Sequence, residues 1–251
     1  VLQNEQLEKN GINGRYLAFD VDDQNLESAV RGLFAIGAQG VNITVPYKEK
    51  VIPFLTRISR EAEMIGAVNT LVRDKNGFCG ENTDGRGFIA SLIREKDFNP
   101  ENKKVIILGS GGAARGVGVA LALAGAKEVS FVNRTILKAE NLKILININT
   151  HSISEAWDYE ENPVPENKIN EADLIVNATS IGMFPEVNEK PKMNYDLLHS
   201  GQLIADLVYN PEETMFLKEA SLRGADTING KGMLYYQGAL SFELWTGKNF
   251  K

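Results

Sequence analysis

The sequence predicts an α/β protein of two domains, the second built on a parallel, doubly wound sheet. After residue 103 an uninterrupted apolar run, Val105-Ile106-Ile107-Leu108, is followed by further apolar-rich strand segments at Glu128–Val132, Leu174-Ile175-Val176 and Leu203–Leu207. Such runs read as strands buried on both faces. Helical stretches alternate with them, as in a parallel sheet covered by crossover helices. Before residue 97 the texture differs, with shorter alternating strands and short helices, and a polar segment containing Pro100, Asp97–Lys103, separates the two regions.

The elements follow in order. Val1–Asn10 reads as the end of a helix stopped by Gly11, and Arg15–Val21 as a strand. Leu26, Ala29, Val30, Leu33 and Phe34 recur at helical spacing within Leu26–Ile36. Gly40–Val45 alternates as a strand, followed by short helices over Tyr47–Leu55 and Arg60–Ile65. Ala67–Arg73 and Phe78–Glu81 flank Asn76-Gly77, a pair suited to the positive φ of a tight hairpin turn. A helix spans Gly85–Glu95. In the second region a helix over Ala113–Ala124 follows the first buried strand, and Asn147–Lys168 reads as irregular. The last helix, Met233–Trp245, follows Gly230-Lys231-Gly232 as a hinge and is expected to return to the first domain. The expected domains are therefore 1–98 with 233–251, and 99–232.

Composition narrows the function. The chain has 251 residues, 43% apolar and 24% charged, as in an ordinary soluble protein. A net charge of -6 argues against nucleic acid or an anionic membrane as a general partner. The single cysteine, Cys79, excludes an internal disulfide and fits a reducing cytoplasm. No apolar run reaches the roughly 20 residues of a membrane span, and no signal peptide is expected. His151 and His199 have no metal-ligand spacing around them, so no metal is expected.

Gly109-Ser110-Gly111-Gly112-Ala113-Ala114 fits G-x-G-x-x-A between a buried strand and a helix. Gly109 permits the tight turn, Gly111 lets a pyrophosphate approach, and Ala114 allows close helix–strand packing. Gly112 and Ala113 open the helix, whose free N–H groups favour phosphate. These features predict a Rossmann-like dinucleotide-binding domain. An NAD site usually places a carboxylate at the end of the next strand. Here Asn133-Arg134-Thr135 stands there, with Lys138 one turn on. Arginine can hold a 2′-phosphate with paired, charge-assisted bonds, so NADP is preferred over NAD.

In the first region polar residues collect where strands end: Asn42-Ile43-Thr44-Val45-Pro46-Tyr47-Lys48, Gly66–Thr70 and Glu81-Asn82-Thr83-Asp84-Gly85. Lys48 falls in a first helical turn, where a cation opposes the helix dipole. Asp84 stands at a strand-to-helix junction, as an N-cap would. Together they suggest a Lys–Asp pair that protonates the alkoxide formed when a ketone receives hydride.

These segments, in this order, resemble the shikimate dehydrogenase family. So do Gly109–Arg115, Asn133-Arg134-Thr135, Asn177-Ala178-Thr179-Ser180-x-Gly182-Met183 and Gly230-x-x-Met233-Leu234-x-x-Gln237. The resemblance implies Lys48 and Asp84 as catalytic residues. It implies Asn69, Asp84 and Gln237 as ligands of substrate hydroxyls, with Asn42 and Thr44 nearby and Tyr209 beside the substrate. Thr179, Val208, Gly230 and Met233 are placed around the nicotinamide. The implied reaction is reversible reduction of 3-dehydroshikimate to shikimate by NADPH, on the route through chorismate to aromatic amino acids, in the cytoplasm, by a monomer or homodimer.

The family opens with a strand and a Ser-x-Ser segment that binds the substrate carboxylate, whereas Val1 falls in the helix that normally follows them, so the first strand is expected to be missing from this sequence. A quinate/shikimate dehydrogenase, or a catalytically silent or fused domain of the same family, is the alternative. The basic Asn133-Arg134-Thr135 favours NADP, and retention of Lys48 and Asp84 favours activity.

Overall fold

The computed structural model describes residues 2–250. The chain forms two compact units, one from residues 1–83 with 235–251 and the other from residues 84–234.

The first unit contains α1 (Leu2–Lys9), α2 (Leu26–Ala35), β1 (Gly40–Asn42), α3 (Tyr47–Lys50), β2 (Arg57–Ile58), α4 (Arg60–Ile65), β3 (Thr70–Asp74) and β4 (Gly77–Glu81). Its sheet runs β1-β3-β4-β2, with β3 antiparallel to both neighbours and β2 parallel to β4. The predicted stripe on α2 points inward: Leu26 and Val30 join Val51, Ala62, Val68, Leu71 and Phe78 in one core. Ser59 caps α4 by accepting from the Ala62 N–H at 3.3 Å, and Gly66 ends it at φ 70°.

Some expectations for this unit are corrected. Arg15–Val21 is not a strand, and Leu17 and Phe19 are 64% and 62% exposed. A strand needs a neighbour's backbone. Here the Asn4 side chain takes that place, accepting from Tyr16 N at 2.7 Å and donating to Tyr16 O at 3.1 Å. The helix expected over Tyr47–Leu55 stops at Lys50, and a 3₁₀ turn over Ile52–Phe54 begins afresh around Pro53, which has no N–H to continue an α-helix. The hairpin exists, but Asp74 pairs with Gly77, so Lys75-Asn76 is the turn, and neither has positive φ. The Asp74 carboxylate accepts the Lys75 N–H at 2.8 Å and sets the bend instead.

The second unit contains α5 (Asp84–Lys96), β5 (Lys104–Leu108), α6 (Gly112–Leu123), β6 (Glu128–Val132), α7 (Ile136–Asn149), β7 (Ala156–Trp157), α8 (Glu166–Glu171), β8 (Leu174–Asn177), β9 (Leu203–Asp206), α9 (Met215–Leu222) and β10 (Asp226–Ile228). Residues 231–234 begin α10 (Lys231–Thr246), whose remainder belongs to the first unit. The six strands run β10-β9-β8-β5-β6-β7, every neighbouring pair parallel. From β5 the chain winds outward through β6 to β7, then returns to β8 on the other side of β5. Ligands bind outside the strand ends where the order reverses, here the C-terminal ends of β5 and β8.

Asn147–Lys168, read as irregular, ends α7, forms β7 and begins α8. Two pairs, Phe131 with Ala156 and Val132 with Trp157, are all that define β7, too few to leave a periodic signal. The units divide at 83/84 rather than at 98/99. The cause is α5, which packs on α6 so closely that a Cβ on Gly85 would lie 2.5 Å from Ala120 Cβ and 2.6 Å from Gly116 O. Among the described residues no helix is long and apolar enough to cross a membrane.

The loop entering β9 carries a charge-dependent clip. His199 Nδ1 lies 2.8 Å from Ser200 O and Nε2 lies 2.9 Å from Asn170 O. Two carbonyl oxygens favour the imidazolium, in which both nitrogens donate, and hold its pKa above the ordinary 6.5. A raised pKa means the clip stabilises the fold fully below pH 6.5 and is lost as pH rises through the raised value. The Tm of the native protein, measured against His199→Leu, should therefore fall as pH rises from about 6 to about 8. A Tm difference independent of pH would show that the ring is not held as a cation.

Candidate functional site

In the first unit the polar residues at the strand ends form one buried network. Asn42, at the end of β1, accepts from Tyr16 Oη at 3.0 Å through Oδ1. Its Nδ2 donates to Ser241 Oγ at 3.1 Å and to Asn69 O and Thr70 Oγ1, both at 3.3 Å. Asn69, which leads into β3, is 2% exposed. Its Oδ1 accepts the Thr83 backbone N–H at 2.8 Å and the Thr70 hydroxyl at 2.9 Å. A backbone N–H can only donate, so this contact fixes which way the amide points. Asn69 Nδ2 then donates to Thr83 Oγ1 at 3.0 Å, with Gln237 Oε1 at 3.5 Å. Ser241, one turn beyond Gln237 on α10, lies 2.8 Å from Thr70 Oγ1.

Lys48 sits in α3, half-buried, and its carbonyl accepts the Val68 N–H at 2.8 Å, tying α3 to the segment that ends in Asn69. Asp84 opens α5 and follows Thr83, the residue whose N–H Asn69 holds. Thr44 is exposed and caps the turn into α3, its carbonyl accepting the Tyr47 N–H at 2.8 Å. Of the residues named for the substrate, Asn42, Asn69 and Gln237 meet in this network. Among the described residues Thr44 makes no side-chain bond into it, and Tyr209 lies in the second unit, 51% exposed. Sequence reasoning did not single out Tyr16, Thr70, Thr83 or Ser241. Ser241 was discoverable from its i+4 spacing to Gln237. Tyr16 carried no such signal, because its partner Asn42 is 26 residues away.

In the second unit the glycine-rich turn lies at the switch point. Gly109 has φ 112°, and a Cβ there would lie 3.0 Å from Thr179 Cγ2 and 3.2 Å from Ala178 O. At Gly111 and Gly112 a Cβ would meet nothing within 4 Å. Both front open space at the start of the twelve-residue helix α6, with Ala113 exposed beside them. The Ser110 hydroxyl is buried without a protein partner, so its hydrogen bonding remains for a ligand. At the end of β6, Asn133 Nδ2 donates to Thr135 O at 2.9 Å, shaping the loop that presents Arg134. Arg134 and Lys138 are exposed and form no ion pair among the described residues. An open helix N-terminus, an unpaired hydroxyl and two uncommitted cations fit a dinucleotide with an additional phosphate.

The far side of the same crevice is built from the ends of β8 and β9. Thr179 donates to Asn177 Oδ1 at 2.6 Å, and Asn177 Nδ2 donates to Asp206 Oδ1 at 3.0 Å. Asp206 is 1% exposed, and burial pushes its carboxyl above the usual range against the pull of its hydrogen bonds. Gly230 donates to Val208 O at 3.2 Å, and a Cβ there would run into the Leu207 carbonyl. At Gly232 a Cβ would lie 2.7 Å from Ser91 Cβ. The two glycines are thus sites of close approach, and Met233 follows them, half-buried. Among the described residues no group of three or more His, Cys, Asp or Glu side chains could hold a metal ion.

A crevice whose residues fit a dinucleotide in one unit, and buried amides and hydroxyls in the other, are what a dinucleotide-dependent oxidoreductase acting on a hydroxylated substrate requires. Comparison with known proteins agrees. Residues 1–71 match the shikimate dehydrogenase substrate binding domain, 92–206 the shikimate / quinate 5-dehydrogenase model, and 230–249 the shikimate 5'-dehydrogenase C-terminal domain. The shikimate dehydrogenase (NADP(+)) of Desulforamulus reducens is 44% identical over 98% of this chain and 84% of its own. The Listeria monocytogenes shikimate 5-dehydrogenase, solved with shikimate and NAD, superposes with a TM-score of 0.94 at 36% identity, over 99% of this chain and 86% of that one. The 5-ketofructose reductase of a Gluconobacter strain superposes with a TM-score of 0.91 at 38% identity, over 99% and 87%. The chain belongs to the shikimate dehydrogenase family.

The amide orientation at Asn69 is testable. Asn69→Asp keeps the oxygen facing the Thr83 N–H but replaces the buried donor with an acceptor. It should lower stability by about 1–3 kcal/mol, the cost of an unmatched buried polar group, read from the urea midpoint at pH 7. An unchanged midpoint would mean that Nδ2 makes no internal bond.

Proposed function

We propose that the protein catalyses the reversible NADPH-dependent reduction of 3-dehydroshikimate to shikimate. The observation that carries this reading is the pairing, in a chain of this family, of the Asn42–Asn69–Gln237 network with uncommitted cations after β6. Bound NADPH supplies the hydride. Arg134, with Lys138, holds the 2′-phosphate, while Gly111, Gly112 and Ala113 leave room for the pyrophosphate. Thr179, Val208, Gly230 and Met233 flank the nicotinamide.

Asn69 and Gln237 read the ring hydroxyls, assisted by Asn42, Thr44 and Tyr209. Lys48 stabilises the developing alkoxide and delivers its proton, and Asp84 serves as the second catalytic residue and a hydroxyl ligand. The reading includes a role in aromatic amino acid biosynthesis, a cytoplasmic location and a monomer or homodimer.

Steady-state rates with 3-dehydroshikimate, the dehydrogenated form of quinate and 5-ketofructose test the substrate. The first should give the highest kcat/KM, and preference for either of the others would replace the reading. Arg134→Ala should weaken NADPH binding by about 1.5–3 kcal/mol, the scale of hydrogen bonds to a charged group, and leave NADH binding little changed. Equal losses would show that Arg134 does not read the phosphate. Lys48→Ala should lower kcat by about 10²–10⁴-fold with a much smaller change in KM, and Lys48→Arg should not restore it. A near-normal kcat with only a raised KM would make Lys48 a binding residue.

A further inference from the structure

Asp206 ends β9, 1% exposed, and every partner it has belongs to a segment beside the cofactor crevice. Oδ1 accepts from Asn177 Nδ2 and from the Val208 N–H, both at 3.0 Å, and Oδ2 accepts from Thr214 Oγ1 at 2.7 Å. None of the three donors is a cation. A buried carboxylate with no neutralising charge costs more than an apolar residue would, so its presence calls for a geometric reason.

The reason lies in what the donors carry. Asn177 also gives Nδ2 to Ile181 O at 3.2 Å, so both of its amide hydrogens are committed and Oδ1 must face the other way. There it accepts the Thr179 N–H at 3.1 Å and the Thr179 hydroxyl at 2.6 Å. The Thr179 hydroxyl in turn accepts the Ile181 N–H at 3.2 Å. With its side chain locked, Thr179 sets its methyl where it would lie 3.0 Å from a Cβ on Gly109, the first residue of the glycine-rich turn. On the other branch, the Val208 N–H is held by Asp206 while the Val208 carbonyl accepts the Gly230 N–H. One carboxylate therefore fixes the loop after β8 and the loop after β9 together.

We propose that Asp206 is a positioning residue, setting Thr179 through Asn177 and Val208 directly, so that the wall against the nicotinamide half of the cofactor is formed before binding. This rests on the assignment of that crevice to NADPH. The groups that read the 2′-phosphate, Arg134 and Lys138, stand after β6 and in α7, and neither is among the partners of Asp206. The effect of losing Asp206 is thus confined to one half of the ligand.

The test is binding, measured by calorimetry for NADPH and for adenosine 2′,5′-bisphosphate, which lacks the nicotinamide. Asp206→Ala should raise the NADPH Kd about tenfold, the scale of one lost buried hydrogen bond, and leave the bisphosphate Kd unchanged. Asp206→Asn keeps the acceptor for Asn177 and Val208 and can donate to Thr214, so it should restore NADPH binding to within a few-fold of the native value. Should Asp206→Ala not fold, Asn177→Ala, which cuts the link to Thr179 but retains the carboxylate, should weaken NADPH selectively. Equal weakening of both ligands, unchanged NADPH binding in a folded Asp206→Ala or Asn177→Ala, or an Asn variant as weak as Ala would overturn the proposal. Failure of the native protein to bind the bisphosphate at all would instead remove the NADPH assignment, and the proposal with it.

Discussion

The contact on which the first unit depends is the backbone N–H of Thr83 on the Asn69 side-chain oxygen, 2.8 Å long. It orients the amide, and the orientation decides the rest. With Oδ1 facing Thr83 and Thr70, Nδ2 is left as a donor toward Thr83 Oγ1 and Gln237. The same cluster takes in Asn42 from β1 and Ser241 from α10, so residues nearly 200 positions apart in sequence share hydrogen bonds. Buried polar groups are tolerable only when fully paired, and a paired network specifies one arrangement of its strands and helix. Trp245 reinforces that docking apolarly: its ring occupies the space a Cβ on Gly40 would need, and its Nε1 donates to Leu71 O at 2.9 Å.

The second unit applies the same logic at the ends of two neighbouring strands. Its sheet is parallel and buried, so β8 and β9 can be apolar almost throughout, and the polar residues fall at their last positions, Asn177 and Asp206. Those two pair with each other because β8 and β9 are in register there, Asn177 opposite Asp206. Strand register, set by apolar residues, thereby places an amide and a carboxylate at the mouth of the crevice. Close packing beneath is achieved by small residues: a Cβ on Gly118 would lie 2.6 Å from the Phe131 ring, and one on Gly85 would meet α6.

Legibility in the sequence tracked how local each signal was. The strand–turn–helix at Gly109 and the long apolar runs are read within ten residues, and the structure has β5, α6, β6, β8 and β9 within a residue or two of those positions. The α4 caps at Ser59 and Gly66 are equally local. What failed were elements whose neighbours are distant in sequence. Arg15–Val21 reads as a strand, yet at Tyr16 the backbone N–H and C=O pair with the side chain of Asn4 and not with a neighbouring strand. The strand β7 exists only because β6 lies beside it. The division at Thr83/Asp84 depends on Gly85 meeting Gly116 and Ala120, whereas the proline-containing segment after α5 marks only a change of texture. Asp206 was read as part of an apolar strand, since nothing adjacent in sequence reveals that three donors converge on it.

The charge distribution explains how an acidic chain can serve an anionic cofactor. A net charge of -6 would repel a dinucleotide phosphate if it acted as a uniform field. At physiological ionic strength, however, exposed charges are screened beyond about 8 Å, so the phosphates respond to their immediate surroundings. Around the glycine-rich turn those surroundings are the N-terminus of α6, the unpaired Ser110 hydroxyl and, after β6, Arg134 and Lys138. Several other cations of the unit are already committed, Lys104 to Glu171, Lys168 to Glu128 and Glu155, and Arg223 to Asp196 and Glu219. Pairing neutralises them. The cations left unpaired at the end of β6 stand where a second-strand carboxylate would select NAD, and in the function proposed above the preference for a 2′-phosphate rests on them and not on the overall charge.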